Sequence, residues 1–267
     1  MEGGNHRSDV GLRDLPENCI STILSFTTPK DVCRLAVVSA LWSSAANADT
    51  VWEKMLPSHY HYILSRAVVP LGFSSRKELY FNLCDSFLID NGTKAMWVDR
   101  STGQIGCMVS ARGLCITWSG DNRYWDWVSS DDSRFEQLAK LRLVWWFDVY
   151  GRFDCTLLLP NTHYRVSFIV KMEGIIVRYG ASTPFNFCLT TTAGNHIESA
   201  RFLNDLERPV ENTTPLRHGE NGWMEFVAGE FFLEESCGEI EFFMKNIDCS
   251  FAKRGVLLDG VKIEPMH

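Results

Sequence analysis

The chain has 267 residues, 45% of them hydrophobic and 22% charged, which is enough for one large core or two smaller ones. A formal net charge of -7 argues against any general attraction to nucleic acid or anionic membrane, since both require a basic surface. The chain has no run of about 18 apolar residues, and residues 1–6 carry neither a signal-peptide core nor the Gly after Met that myristoylation requires. A soluble cytoplasmic or nuclear protein without membrane insertion is therefore expected.

Residues 1–10 are expected to be a disordered N-terminus. From there to about Met55 the apolar residues fall at helical spacing, and three helices are predicted. Asp14, Leu15 and Pro16 mark the first start, followed by Cys19, Ile20, Ile23 and Leu24 at three- and four-residue steps, with Phe26 closing the helix. Thr28, Pro29 and Asp31 combine a hydroxyl cap, a proline in the first turn and an acid at the positive helix end, and Val32, Leu35, Ala36 and Ser39 continue this second helix. The third helix is expected around 49–55, anchored by Val51 and Trp52. A module of about 45 residues is too small to hide this much apolar surface alone, which implies a partner.

Residues 58–85 read as a helical connector, with one helix beginning near Tyr60 and another over 76–84. Beyond it, short β-branched and aromatic runs alternate with turn signals: 95–99, 106–109, 114–118, 144–150, 164–171, 185–191, 223–228, 239–247 and 255–263. In 144–154 strict alternation puts Val144, Trp146, Asp148 and Tyr150 on one face and Trp145, Phe147 and Val149 on the other. One helix is predicted over 132–141, with Ser133 and Glu136 as a capping box. The expected fold is thus α+β and multidomain: a small all-α module over 11–57, then a mainly antiparallel, jelly-roll-like β-sandwich over 86–267 with one or two short helices.

The nine cysteines are odd in number, scattered and without a CxxC pair, so free thiols in a reducing compartment are expected. The sequons at Asn91 and Asn212 then carry no weight. His59 and His61 come nearest to a metal motif but have no Cys or carboxylate at useful spacing, and neither metal nor cofactor is predicted. Catalytic motifs are equally absent: there is no GxSxG, Walker loop, HExxH or GxGxxG after a strand. Glu225 and Glu230 could be the carboxylate pair of a glycosidase, but nothing else supports hydrolysis, so no catalytic residue is assigned.

Trp118, Trp125 and Trp127 lie within ten residues around the polar turn Ser119, Gly120, Asp121 and Asn122. Sugar binding uses an aromatic face against the C–H side of a pyranose with carboxylates or amides beside it, and these residues can supply both. Core packing is the competing reading, strongest for Trp127. Trp145, Trp146 and Trp223 lie in predicted strands, and at least two of them are expected in the core.

Two resemblances sharpen this picture. Leu15-Pro16, Ile23-Leu24-Ser25-Phe26, the run 31–36, Val38-Ser39, Trp42 and Trp52 together resemble an F-box, the module that binds a Skp-type adaptor and through it a cullin-RING ubiquitin ligase. That resemblance implies that Leu15, Pro16, Ile20, Ile23, Leu24, Cys33, Leu35, Val38 and Trp42 face the adaptor. The remainder resembles the phloem protein 2 family of plant lectins, related to the tobacco agglutinin that binds N-acetylglucosamine oligomers and N-glycan cores. Its landmarks are the runs 77–81, 90–94, Ile116-Thr117-Trp118, 124–127, Ser133-Arg134-Phe135, Asn221-Gly222-Trp223-Met224-Glu225 and 229–232, whereas 173–217 fits poorly. By this resemblance the carbohydrate site comprises Trp118, Trp125, Glu225 and Glu230. Three readings follow: a ligase subunit that captures glycans or glycoproteins, one whose sandwich recognises a protein surface, and a phloem-type lectin without a ligase role.

Overall fold

A computed structural model describes residues 15–173, 183–203, 206 and 210–266. The expected disordered segment 1–10 and part of 173–217 lie outside the described residues. The chain divides into two compact units, the first formed by residues up to Tyr60 with Leu71–Asp85 and Asp99–Gly103, the second by His61–Pro70, Ser86–Val98 and Gln104 onward.

The first unit holds α1 (Glu17–Leu24), α2 (Pro29–Leu35), α3 (Ala40–Ala46), α4 (Asp49–Met55) and α6 (Arg76–Cys84). Thr28 caps α2 through Asp31 N at 3.2 Å, with Pro29 in the first turn as the sequence predicts. Where three helices were expected before residue 57, there are four. Ser39 does not continue α2; its backbone is extended, and its hydroxyl accepts from Trp42 N at 3.3 Å to start α3. The core is built on Ile20, Leu24, Val32, Val51, Trp52, Leu79, Tyr80 and Leu83, all shut off from solvent. Trp52 organises it: its indole N–H donates to Ala46 O at 2.7 Å, and its ring lies 5.2 Å from Tyr80 and 5.3 Å from Phe81. The second helix of the predicted connector, α6, is therefore part of this helical core.

The second unit takes in most of α5 (Tyr60–Ser65) and two antiparallel sheets. The larger sheet runs β1 (Phe87–Ile89), β2 (Lys94–Val98), β3 (Ile105–Ser110), β14 (Val256–Pro265), β8 (Thr162–Met172), β12 (Trp223–Leu233), β11 (Leu216–His218); β6 (Leu138–Leu141) pairs with β14 and β5 (Trp125–Val128) with β6. The smaller runs β10 (His196–Arg201), β9 (Phe185–Thr190), β13 (Glu239–Asn246), β7 (Phe147–Asp154), β4 (Cys115–Ile116). Aromatic rings fill the space between them: Phe187 stacks on Phe226 at 5.3 Å and meets Phe168 at 5.9 Å. Gly151 on β7 exists for this packing, because a Cβ there would stand 2.4 Å from the Phe242 ring.

Two sequence expectations fail in this unit. The helix over 132–141 is absent: Ser133 forms a turn, accepting from Phe135 N at 3.0 Å and donating to Asp259 at 2.7 Å, while Leu138, Ala139 and Leu141 are buried as β6. A single apolar stripe over ten residues is weak against two flanking strands that offer ladder partners. Trp145 and Trp146 are also misassigned to the core. Regular β7 begins only at Phe147, and the two tryptophans in the bend before it are 49% and 39% exposed.

Candidate functional site

In the helical unit α1 carries two apolar stripes. Ile20 and Leu24 point into the core, whereas Pro16, Cys19 and Ile23 are exposed, and Phe26, just past the helix, is 85% exposed. The steps from Pro16 through Cys19 and Ile23 to Phe26 are three, four and three residues, which keeps them on one helix face. Cys33 on α2 is exposed too, as are Val37 and Val38 in the turn before α3, at 85% and 65%. Leu15, Leu35 and Trp42 are half-buried. Of the residues assigned to the adaptor, Ile20 and Leu24 are thus corrected to core positions, because fully buried side chains have no surface left to offer. Cys19, Phe26 and Val37 are further exposed apolar positions outside the expected set, although the double periodicity of α1 was present in the sequence.

The four carbohydrate candidates of the sandwich divide between separate places. Trp118 follows β4 with a left-handed backbone (φ 63°), is 47% exposed, and lies against Tyr124 at 5.1 Å between ring centres. Trp125 is only 2% exposed; its indole N–H donates to Thr117 O at 3.1 Å and its ring packs on Phe147. Its ring face is closed to a ligand, so its expected stacking role is corrected to a core role that holds the Trp118 turn. Trp127 is half-buried, tied to Ser119 O at 3.0 Å and covered by the Arg112 guanidinium 3.6 Å from its ring centre.

Glu225 and Glu230 lie on the outer face of β12 inside an ion network. Arg165 binds Glu230 at 2.8 Å, Arg217 binds Glu264 at 2.6 Å, and Lys262 reaches both Glu225 and Glu264. Glu230 is held by this network and borders a separate cavity with Thr191, Asn195 and Phe232. Glu225 borders a 290 Å³ cavity whose lining includes Asp132, Arg134, Asn221, Trp223 and Asp259.

This second cavity is the most ligand-like place on the sheet. The Trp223 indole is 9% exposed and its N–H has no acceptor, and Oε2 of Glu225 is buried without a hydrogen bond, Arg217 standing off at 3.6 Å. Buried polar atoms left in this state cost about 1–3 kcal/mol each unless a ligand or water satisfies them. Asn221, in a left-handed turn (φ 53°), donates to Asp132 at 2.9 Å, and Lys171 reaches the other Asp132 oxygen at 3.4 Å. Burial pushes the Asp259 carboxyl up from its usual range and the Arg134 guanidinium down, each opposing the other by charge. Carboxylate acceptors thus alternate with N–H donors around one side of an indole, the arrangement a hydroxyl-rich ligand requires. Of the three tryptophans expected mostly in the core, Trp223 is the one that is buried, and the sequence reading passed over Asp132, Asn221 and Asp259 although the Asn221-Gly222-Trp223 turn was visible. The exposed Trp118 lies beside Tyr124 just before β5, whereas the buried Trp223 clusters with Leu138 and Leu257, against which Val128 at the end of β5 packs.

A helical unit and an antiparallel β-sandwich with a polar outer cavity make this a two-part protein. Family models match on both parts, F-box-like over residues 12–58 and Phloem protein 2 over 104–265. The chain belongs to the phloem protein 2 family of plant F-box proteins. It is 34% identical over 273 residues to F-box protein PP2-A15 of Arabidopsis thaliana, covering 96% of this chain and 89% of that protein. With F-box protein PP2-B10 of the same plant it shares 36% over 259 residues, covering 94% and 92%. Among solved structures, the family 35 carbohydrate-binding module from Clostridium thermocellum is a distant likeness, 10% identical with a TM-score of 0.32, covering 60% of this chain and 98% of that one. No helix among the described residues is long and apolar enough to cross a membrane.

Proposed function

We propose that this protein is a non-catalytic specificity subunit of a Skp-cullin-F-box ubiquitin ligase, acting in the cytoplasm or nucleus. The observation that carries this reading is the second, outward apolar stripe Pro16, Cys19, Ile23, Phe26, continued by Cys33, Val37 and Val38. Phe26, Val37 and Val38 are 65–85% exposed, and grouped exposed apolar side chains of this kind mark interaction surfaces. Depletion of charge and exposed large apolar groups are the composition of a stable interface core.

The sandwich, on this proposal, presents the cargo. The cavity at Trp223 and Glu225 takes a hydroxyl-rich ligand, and the exposed Trp118 offers a separate stacking face. N-acetylglucosamine-containing glycans, alone or on glycoproteins, are the class proposed. A shallow site of this kind binds on the order of micromolar to millimolar, about -8 to -4 kcal/mol. A glycan array run with wild type, Trp118→Ala and Glu225→Gln tests it: binding by wild type and its loss in both variants supports the proposal, and a folded wild type that retains no glycan overturns it. Protein-surface recognition would instead show cargo whose capture survives both substitutions and enzymatic removal of glycans.

A further inference from the structure

The outer face of the smaller sheet carries a cluster that neither the docking stripe nor the ligand cavity uses. In the β9–β10 pairing Cys188 stands opposite Glu198, and His196 opposite Thr190, so all four side chains project from the same face of the edge strand β10 and its neighbour β9. One nitrogen of His196, Nδ1, lies 3.1 Å from the Thr190 hydroxyl. The other, Nε2, lies 3.0 Å from Glu198 Oε1, and Cys188 Sγ stands nearly equidistant from the two, 3.3 Å from Nδ1 and 3.4 Å from Nε2. One donor atom from each of Cys188, His196 and Glu198 falls within a 4.8 Å group.

We infer that Cys188, His196 and Glu198 form a binding site for a zinc-class divalent transition-metal ion. Three lines of geometry and chemistry carry this. Metal–sulfur and metal–nitrogen bonds of about 2.3 and 2.0 Å at a tetrahedral angle place S and N about 3.5 Å apart and N and O about 3.3 Å apart. The Nε2–Oε1 separation of 3.0 Å is close to that value, while the sulfur stands over the imidazole and reaches a metal in the ring plane by a turn of the Cys188 or His196 side chain. The donor set is also selective: a thiolate, an imidazole and one carboxylate suit zinc, cobalt or copper and not magnesium or calcium. Finally, the Thr190 hydroxyl lies 3.1 Å from Nδ1, and when it accepts from Nδ1–H it leaves Nε2 free to ligate, as outer partners of metal-bound histidines commonly do.

Cys188 is buried while His196 and Glu198 are exposed, so the ion would rest on the sulfur with one coordination position open to solvent. Burial pushes the Cys188 thiol up to about 11, with Glu198 adding to the shift and Lys245 on the adjacent strand opposing it. Binding then proceeds by exchange: the S–H bond breaks, the metal–sulfur bond forms, and one proton leaves to solvent per ion bound.

Cobalt(II) titration of the full chain tests the site, because a thiolate ligand gives a sulfur-to-cobalt charge-transfer absorption that Cys-free coordination lacks. Wild type is expected to bind one Co²⁺ per chain with that absorption, to exchange it for Zn²⁺ and to ignore Mg²⁺. Cys188→Ser should abolish the absorption, His196→Gln should weaken binding at least about tenfold, Thr190→Val about 10- to 100-fold, and Cys237→Ser should change nothing. A folded wild type without the absorption overturns the inference, as does an absorption unchanged by Cys188→Ser. Should Cys188→Ser fail to fold, His196→Gln at its exposed edge position decides, and unaltered cobalt affinity there refutes the site.

Discussion

The two stripes of α1 separate binding from folding, and substitution can test that separation quantitatively. Leu24 is fully buried, so Leu24→Ala removes its transfer free energy and leaves a cavity, which costs about 2–5 kcal/mol of stability. Phe26 sits two residues on at 85% exposure, and Phe26→Ala should change stability by no more than about 0.5 kcal/mol. At the adaptor interface the order reverses. A phenylalanine offers roughly 150–250 Å² for burial, and a central apolar anchor of this size contributes at least about 2 kcal/mol, close to 30-fold in affinity. The assay pairs urea unfolding of the full chain with calorimetric titration by a Skp-type adaptor. Phe26→Ala is expected to unfold at the wild-type midpoint and bind about 30-fold more weakly. Wild-type affinity in Phe26→Ala, or a loss of stability equal to that of Leu24→Ala, would refute the assignment of the outward stripe.

Other expectations follow from burial and charge. Trp118→Ala should leave thermal unfolding nearly unchanged while reducing glycan retention, whereas Trp125→Ala, a 2% exposed ring, should cost about 3–5 kcal/mol and lose the site through unfolding. Asp90 accepts a bidentate pair from Arg66 at 2.8 and 2.6 Å and a further bond from Lys94 at 2.8 Å. Burial pushes its carboxyl up, but the hydrogen bonds from Arg66 and Lys94 outweigh this and hold it below the usual range. Its stabilisation is therefore present above the unfolded pKa near 3.8 and lost as pH falls through the lower folded value, so Asp90→Asn should weaken the fold at pH 7 and flatten the acid-unfolding curve. Asp259 behaves in the opposite sense. Burial raises its folded pKa above 3.8, so its contribution is best below that pH and declines as pH rises through the folded value; Asp259→Asn, which can still accept from Ser133, should gain stability at pH 7 and none near pH 3 by urea titration.

The helical module was legible because its starts carry local chemistry: Thr28-Pro29 caps α2 where the sequence signals it. What misled was a residue type with two uses. Ser39 continues a helical spacing and also caps the next helix, and the short Ala- and Ser-rich α3 has no apolar stripe to announce it. For α1 the sequence revealed which residues are apolar but not which of two stripes faces inward, since only packing on α3 and α4 decides that. In the sandwich, strands were readable from alternation, while 132–141 was not, because its pairing partners lie on β5 and β14. The candidate site suffered most. Trp118 and Trp125 are alike in the sequence, and their opposite exposures arise from the turn at Ser119 and the contact of Trp125 with Phe147. Asp132, Asn221 and Asp259 meet from three separate loops and strands, and Cys188, His196 and Glu198 meet through hairpin register, so linear spacing hid both groups and led to the expectation that no metal is bound.

The central claim is that one chain joins a Skp-type adaptor to a hydroxyl-rich ligand. It is tested most directly by passing purified adaptor, with and without the full chain, over an immobilised N-acetylglucosamine oligomer. The account predicts that adaptor is retained only when the chain is present, that Phe26→Ala releases the adaptor while the chain stays bound, and that Glu225→Gln releases both. Adaptor-bound, folded chain passing through the resin as freely as adaptor alone would contradict it.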